Sequence, residues 1–204
     1  MKKSFIFLLS AFLMISISMT FMAAENSRND NEPYSFPITP GSSEWESFTT
    51  KQEMLDVCQV PEDKLSNMTT EALLETVINY PLINDYMAFN SYEDACNVMS
   101  SDFNGFRELL SREDLTSVLL TKYSSVHIIL SDEINSTNPS DFFMPATIEY
   151  LLVCDEIKNG EITGEEAVTL EEVHNEKAVA REAAGIYSMQ SEVYSTYKEN
   201  ETTN

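Results

Sequence analysis

Met68-Thr-Thr-Glu-Ala-Leu-Leu-Glu-Thr-Val-Ile-Asn-Tyr-Pro81 is the stretch on which the fold class depends. Thr69 stands where a helix N-cap belongs, because a β-hydroxyl can accept the free amide hydrogens of the first turn. Glu71 follows where the positive end of the helix dipole favours an anion. Met68 and Leu73 occupy the two positions of a hydrophobic staple. Leu73, Leu74, Val77 and Ile78 then share one face, and Pro81 ends the helix because it has no amide hydrogen to continue the ladder. These features specify a packed scaffold and contain no catalytic group.

The same punctuation recurs on both sides. Thr50-Lys-Gln-Glu53 reads as a capping box opening a helix with Met54, Leu55 and Cys58 inward. Val60-Pro61 closes it, and Pro61 opens a short turn through Leu65. Leu82, Ile83, Tyr86 and Met87 share a further helical face. Asn90-Ser-Tyr-Glu93 starts a helix with Tyr92, Cys96, Met99 and Phe103 inward. Asn104-Gly105 is expected to be a tight reversal. Phe106, Leu109 and Leu110 mark a short helix, and Ser111 is expected to cap one that carries Leu115, Val118, Leu119 and Tyr123.

Beyond Ser124 the signals thin out. Val126-His-Ile-Ile-Leu130 has strand composition, but a lone strand leaves its backbone unpaired, so a buried helical turn is expected, followed by a polar loop from Ser131 to Ser140. Phe143 to Ile157 is a strongly apolar helix. Glu165 to Tyr197 is expected to be one long acidic helix, bent near Gly185, with Val179, Ala183, Ile186 or Tyr187, Tyr194 and Tyr197 inward. The fold class is all-α: an orthogonal array of short helices with a longer C-terminal helix pair. Only five glycines and seven prolines argue against a many-turned β-sandwich.

The N-terminus carries a different message. Met1-Lys2-Lys3, the apolar run Phe5 to Met22 and the small pair Ala23-Ala24 precede an abrupt polar turn at Glu25. A basic tip, an apolar middle and small residues before a polar stretch make a secretory signal peptide, with an uncleaved anchor as the alternative because Met22 fits the cleavage site poorly. Residues 25–47 form a polar leader, expected to be disordered, and an arm, Phe36-Pro-Ile-Thr-Pro-Gly-Ser-Ser-Glu-Trp45, anchored on the body by the single tryptophan. A single helical domain spans 48–198, and 199–204 is a polar tail.

The formal charge of −22 becomes −24 when residues 1–24 leave, since they contain Lys2 and Lys3 and no acid. Such a surface repels nucleic acid and anionic lipid and excludes both as partners. The chain is therefore expected to be a secreted monomer with no membrane attachment beyond the signal peptide, meeting a protein or surface partner. Export allows one disulfide and one free thiol among Cys58, Cys96 and Cys154, but their apolar helical neighbours fit three buried, inert thiols better.

Pro37-Ile-Thr-Pro-Gly41, Glu44-Trp45, Gln52-Glu-Met54, Cys58-Gln-Val-Pro61, Thr70-Glu-Ala-Leu73, Asn79-Tyr-Pro81 and Asn104-Gly-Phe106 together resemble a family of secreted, all-helical proteins from gut bacteria. The resemblance covers residues 37–123, and the C-terminal third departs from it. It implies export, a helical fold and a bacterial source. The family has no established activity, so no catalytic residue comes with it. The acceptor patterns at Asn67, Asn135 and Asn200 are then chance, and Thr69 is a cap.

The sharpest chemical signal is Asp155-Glu-Ile-Lys-Asn-Gly160-Glu-Ile-Thr-Gly-Glu-Glu166. It is similar to the calcium loop of an EF-hand, which needs oxygens at positions 1, 3, 5, 7, 9 and 12 and glycine at 6. Asp155, Asn159, Glu161 (through its carbonyl), Thr163 and Glu166 fit, while Ile157 breaks position 3 and no second loop exists to pair with it. The competing reading uses the same residues as a helix end at Asn159-Gly160 and a capping box at Thr163–Glu166. Glu171-Glu-Val-His174 contains a Glu-x-x-His spacing, but a di-iron bundle needs it twice, so His174 reads as a solvated helix residue. No other metal, phosphate or nucleophile motif is present. The expected function is an exported, non-catalytic helical interaction or accessory protein, with no cofactor unless the 155–166 loop binds Ca2+. The alternatives are a calcium-responsive binder, or a hydrolase whose groups are assembled only by folding, for which His127 or His174 beside Ser, Cys or Asp is the mark.

Overall fold

Thr69 accepts the amide hydrogen of Ala72 through its hydroxyl and caps a helix over Thr70–Ile78, as its sequence position requires. Met68, Leu73, Leu74, Val77 and Ile78 are all buried there. Each such side chain contributes about 1.5–3 kcal/mol over leaving it in water. This computed structural model describes residues 31–130, 133, 139–185 and 192–203. The signal peptide expected at 1–24 and the start of the leader lie outside the described residues. So do Ile186 and Tyr187, and most of the loop expected from Ser131.

Among the described residues there are eleven helices and no strand. They are α1 (Ser43–Ser47), α2 (Lys51–Val57), α3 (Glu62–Leu65), α4 (Thr70–Ile78), α5 (Ile83–Met87), α6 (Tyr92–Asp102), α7 (Asn104–Leu109), α8 (Leu115–Ser125), α9 (Pro139–Asn159), α10 (Gly164–Ala184) and α11 (Val193–Thr203). The protein is all-α. Helix α9 is central and packs on α4, α6, α8 and α11, while α10 packs on α8. Thr50 and Glu53 close the capping box of α2, and Ser91 caps α6. One apolar cluster runs from Cys58 to Val193.

The arm is held earlier than Trp45 alone would hold it. Tyr34 donates its backbone N–H to Thr76 Oγ1 at 2.8 Å, and the Phe36 ring stands edge-on to Tyr80 at 5.9 Å. Trp45 itself is half-buried against the core.

Several expectations are overturned. Asn104-Gly105 is not a reversal but the start of α7. Asn104 is buried, accepts the Val60 N–H at 3.0 Å and donates to the Val60 carbonyl at 2.7 Å. The glycine is needed because a Cβ at Gly105 would lie 2.4 Å from the Phe103 ring. Ser111 does not cap α8. Its hydroxyl donates to the Glu108 carbonyl, and Asp114 stands at the cap position, where its carboxylate accepts from Thr70 at 2.6 Å. Residues 126–130 are irregular backbone, neither helix nor strand. The long acidic helix expected from Glu165 to Tyr197 is two helices, because Gly185 takes a left-handed conformation (φ 67°) and closes α10. Val179 and Ala183 point outward.

Cys96 and Cys154 are joined by a disulfide that ties α6 to α9, and only Cys58 is a free, buried thiol. Burial pushes the Cys58 thiol up to about 11. The bridge closes a 58-residue separation, for which chain entropy alone gives about 4 kcal/mol of stabilisation. Thiol titration of the denatured, unreduced protein should find one reactive group, and three after reduction. The Cys96→Ala/Cys154→Ala variant should lose stability on that scale in urea unfolding.

Candidate functional site

Within α9, every residue from Pro145 to Glu156 is buried, and Glu149 is a carboxylate at 0% exposure among them. An ionised group so placed needs charge and hydrogen-bond partners. Three other helices supply them. Glu149 Oε1 accepts the Tyr123 hydroxyl of α8 at 2.5 Å and the Arg181 guanidinium of α10. Glu149 Oε2 accepts the backbone N–H of Val193 at the start of α11, at 2.8 Å. Arg181 is 1% exposed, and among the described residues its Nε and Nη1 have no hydrogen-bond partner. Lys177, also buried, donates to the Val126 carbonyl at 2.5 Å and stands 4.9 Å over the Tyr123 ring.

His174 extends the network toward solvent. Its Nδ1 lies 3.2 Å from Tyr123 Oη and 4.0 Å from Glu149 Oε1, and its Nε2 lies 2.6 Å from Ser195 Oγ. The proton positions follow from the donor inventory. Tyr123 has one hydrogen, and it goes to the carboxylate, so Tyr123 Oη accepts from His174 Nδ1–H. In the neutral ring Nε2 is then bare and accepts the Ser195 hydroxyl. Burial is the main cause that lowers the His174 pKa, against the raising effect of Glu149. Burial also carries the Tyr123 phenol far above its usual range, helped by the Glu149 charge.

On the opposite flank of α8, a groove of about 380 Å³ opens against α4. Leu74 and Val118 form its apolar floor, and Glu71, Glu75, Asp114 and Lys122 stand on its rim. Lys122 and Glu75 form an ion pair across it.

The residues of the calcium-loop reading are distributed between two helices and their connection. Asp155 and Asn159 belong to the last turns of α9, and Gly164 begins α10, so irregular chain covers only 160–163. Asp155 is buried, with one oxygen accepting from Thr116 at 2.7 Å and the other from Asn159 Nδ2 at 2.7 Å. Glu161, Thr163 and Glu166 are exposed. Thr163 takes the cap position of α10 without a side-chain hydrogen bond. Among the described residues no group of three or more His, Cys, Asp or Glu side chains is placed to hold a metal ion. His127 is exposed.

The network at Glu149 escaped sequence reasoning. Leu170, His174, Lys177, Arg181 and Ala184 recur at the four- and three-residue spacing of one helical face, yet their charge reads as a solvated surface. The usable signal was on α9: Glu149 is the one acid in the run from Pro145 to Cys154, and a charge so enclosed by apolar residues must have a buried partner. No family model, curated protein or solved structure matches the chain. Among the described residues no helix is long and apolar enough to cross a membrane.

Arg181→Met leaves the Glu149 charge buried without its cation and should cost about 3–5 kcal/mol in urea unfolding, part of which Glu149→Leu in the same chain should restore. The depressed His174 pKa has a definite sign. Its stabilising contribution is complete above the unfolded-state value near 6.5 and is lost as pH falls through the lower folded value. The melting temperature should therefore drop on acidification below about pH 6.5, and His174→Gln should flatten that part of the curve.

Proposed function

We propose that the chain is an exported helical accessory domain that works by holding a partner against its outer surface. The groove between α4 and α8 carries this reading, since an apolar floor with a charged rim provides both contact area and orientation for a docked segment. Its rim has three carboxylates and one lysine, and that lysine is paired to Glu75. Charge complementarity therefore favours a segment bearing Lys or Arg. The acidic excess of the whole chain steers in the same direction.

Two observations support export. The N-terminal sequence has the order of a signal peptide, and the Cys96–Cys154 bridge belongs to an oxidising compartment. The expression host should release a chain that starts at Glu25, as N-terminal sequencing of the medium would show. The groove is tested by capture from culture medium with the mature protein and with Ser117→Trp, which places an indole in the opening without touching the Lys122–Glu75 pair. The partner should be retained by the first and lost by the second. Equal recovery on both would place binding elsewhere and end this reading of the groove.

A further inference from the structure

We infer that Ser195 is a base-activated nucleophile that accepts acyl groups from carboxylic esters. The inference rests on a different part of the molecule from the groove. Most serine hydroxyls on these helices are spent locally: Ser101, Ser117, Ser124 and Ser125 each donate to a carbonyl three or four residues earlier. Ser195 instead directs its hydroxyl at a ring nitrogen, 2.6 Å away, across 21 residues of chain.

That nitrogen is held as an acceptor by the groups behind it. Tyr123 gives its hydrogen to Glu149 at 2.5 Å, so its oxygen takes the His174 Nδ1 hydrogen and leaves Nε2 bare. A base placed on the hydroxyl and a third group orienting that base are the two parts of an activated serine. Here Tyr123 is interposed between the imidazole and the carboxylate. Accessibility is graded along the chain of groups. Ser195 is half-buried and the His174 side chain is 13% exposed, whereas Glu149 is closed off completely. Ser195 is therefore the solvent-side end of the chain of groups, and the carboxylate is its sealed end.

The step balances without any further reagent than ester and water. Ser195 Oγ bonds to the ester carbonyl carbon while its proton passes to His174 Nε2. The carbon–oxygen bond to the alcohol then breaks, and the departing oxygen takes that proton. Water returns the system by the same path, giving a proton to Nε2 as it attacks and leaving carboxylic acid and free Ser195. The imidazolium formed on the way is stabilised by Tyr123 Oη and by Glu149, whose Oε1 is 4.0 Å from Nδ1. His174 is the general base, and Tyr123 and Glu149 are positioning residues.

Fluorophosphonate labelling of the mature protein, read by intact mass and peptide mapping, tests the assignment. One adduct should form, on Ser195, and Ser195→Ala should give none. His174→Gln should slow labelling about hundredfold, the scale of general-base assistance. The wild-type rate supplies an independent readout if that variant fails to fold. It should fall on acidification as the imidazole protonates, with a midpoint set by Glu149, Arg181, Glu192, Tyr123 and Tyr194 around the ring. Tyr123→Phe should move that midpoint. A protein that stays unlabelled, labels on scattered serines, or labels at a rate indifferent to pH and to His174 overturns the inference and leaves the groove and export readings untouched.

Discussion

The carboxylate of Glu149 is where four helices of this protein meet. It belongs to α9, takes a hydroxyl from α8 and a guanidinium from α10, and caps the first amide of α11. It has no exposed surface. A buried ion pair of this kind adds little net stability over apolar residues of the same shape, because two charges lose their hydration to form it. Its directionality is its main contribution. An apolar face tolerates sliding and rotation, whereas a carboxylate that needs three donors at once accepts one arrangement of the helices around it. The register of α10 follows from this, with Lys177 and Arg181 inward and Val179 turned to solvent.

The N-terminal half is organised by a different device. There Tyr80 stacks on Phe103 at 4.0 Å, and Asn104 makes two hydrogen bonds to the Val60 backbone. Gln59 repeats the exchange by donating to the Asp102 carbonyl and accepting the Asn104 amide. Two loops that would otherwise bury unpaired backbone are thereby stitched to each other, and the aromatic pair fills the space beneath them. The disulfide between Cys96 and Cys154 joins this half to α9, and so connects the aromatic core with the polar one.

Local features were legible and distant ones were not. Thr50, Thr69 and Ser91 cap helices because each cap needs only the residues three positions on. The extent of α4 followed from its apolar face. Gly105 was misleading for a physical reason: glycine after asparagine usually marks a turn, but here the missing Cβ makes room for a ring. His174 was read as solvated because its partners, Tyr123 and Ser195, lie 51 and 21 residues away, beyond any local periodicity. Three inert thiols were expected, and that expectation failed for Cys96 and Cys154: they lie 58 residues apart, and only the meeting of α6 and α9 brings their sulfurs together.

By itself, the order of residues determined that this chain is helical, acidic, and punctuated into short elements, since caps, prolines and apolar spacing act within a few residues of one another. Tertiary structure alone decided which polar residues go inside. Burying a charge is unfavourable for any helix on its own, and it becomes tolerable only when neighbouring helices deliver the opposite charge and the missing hydrogen bonds to the same point.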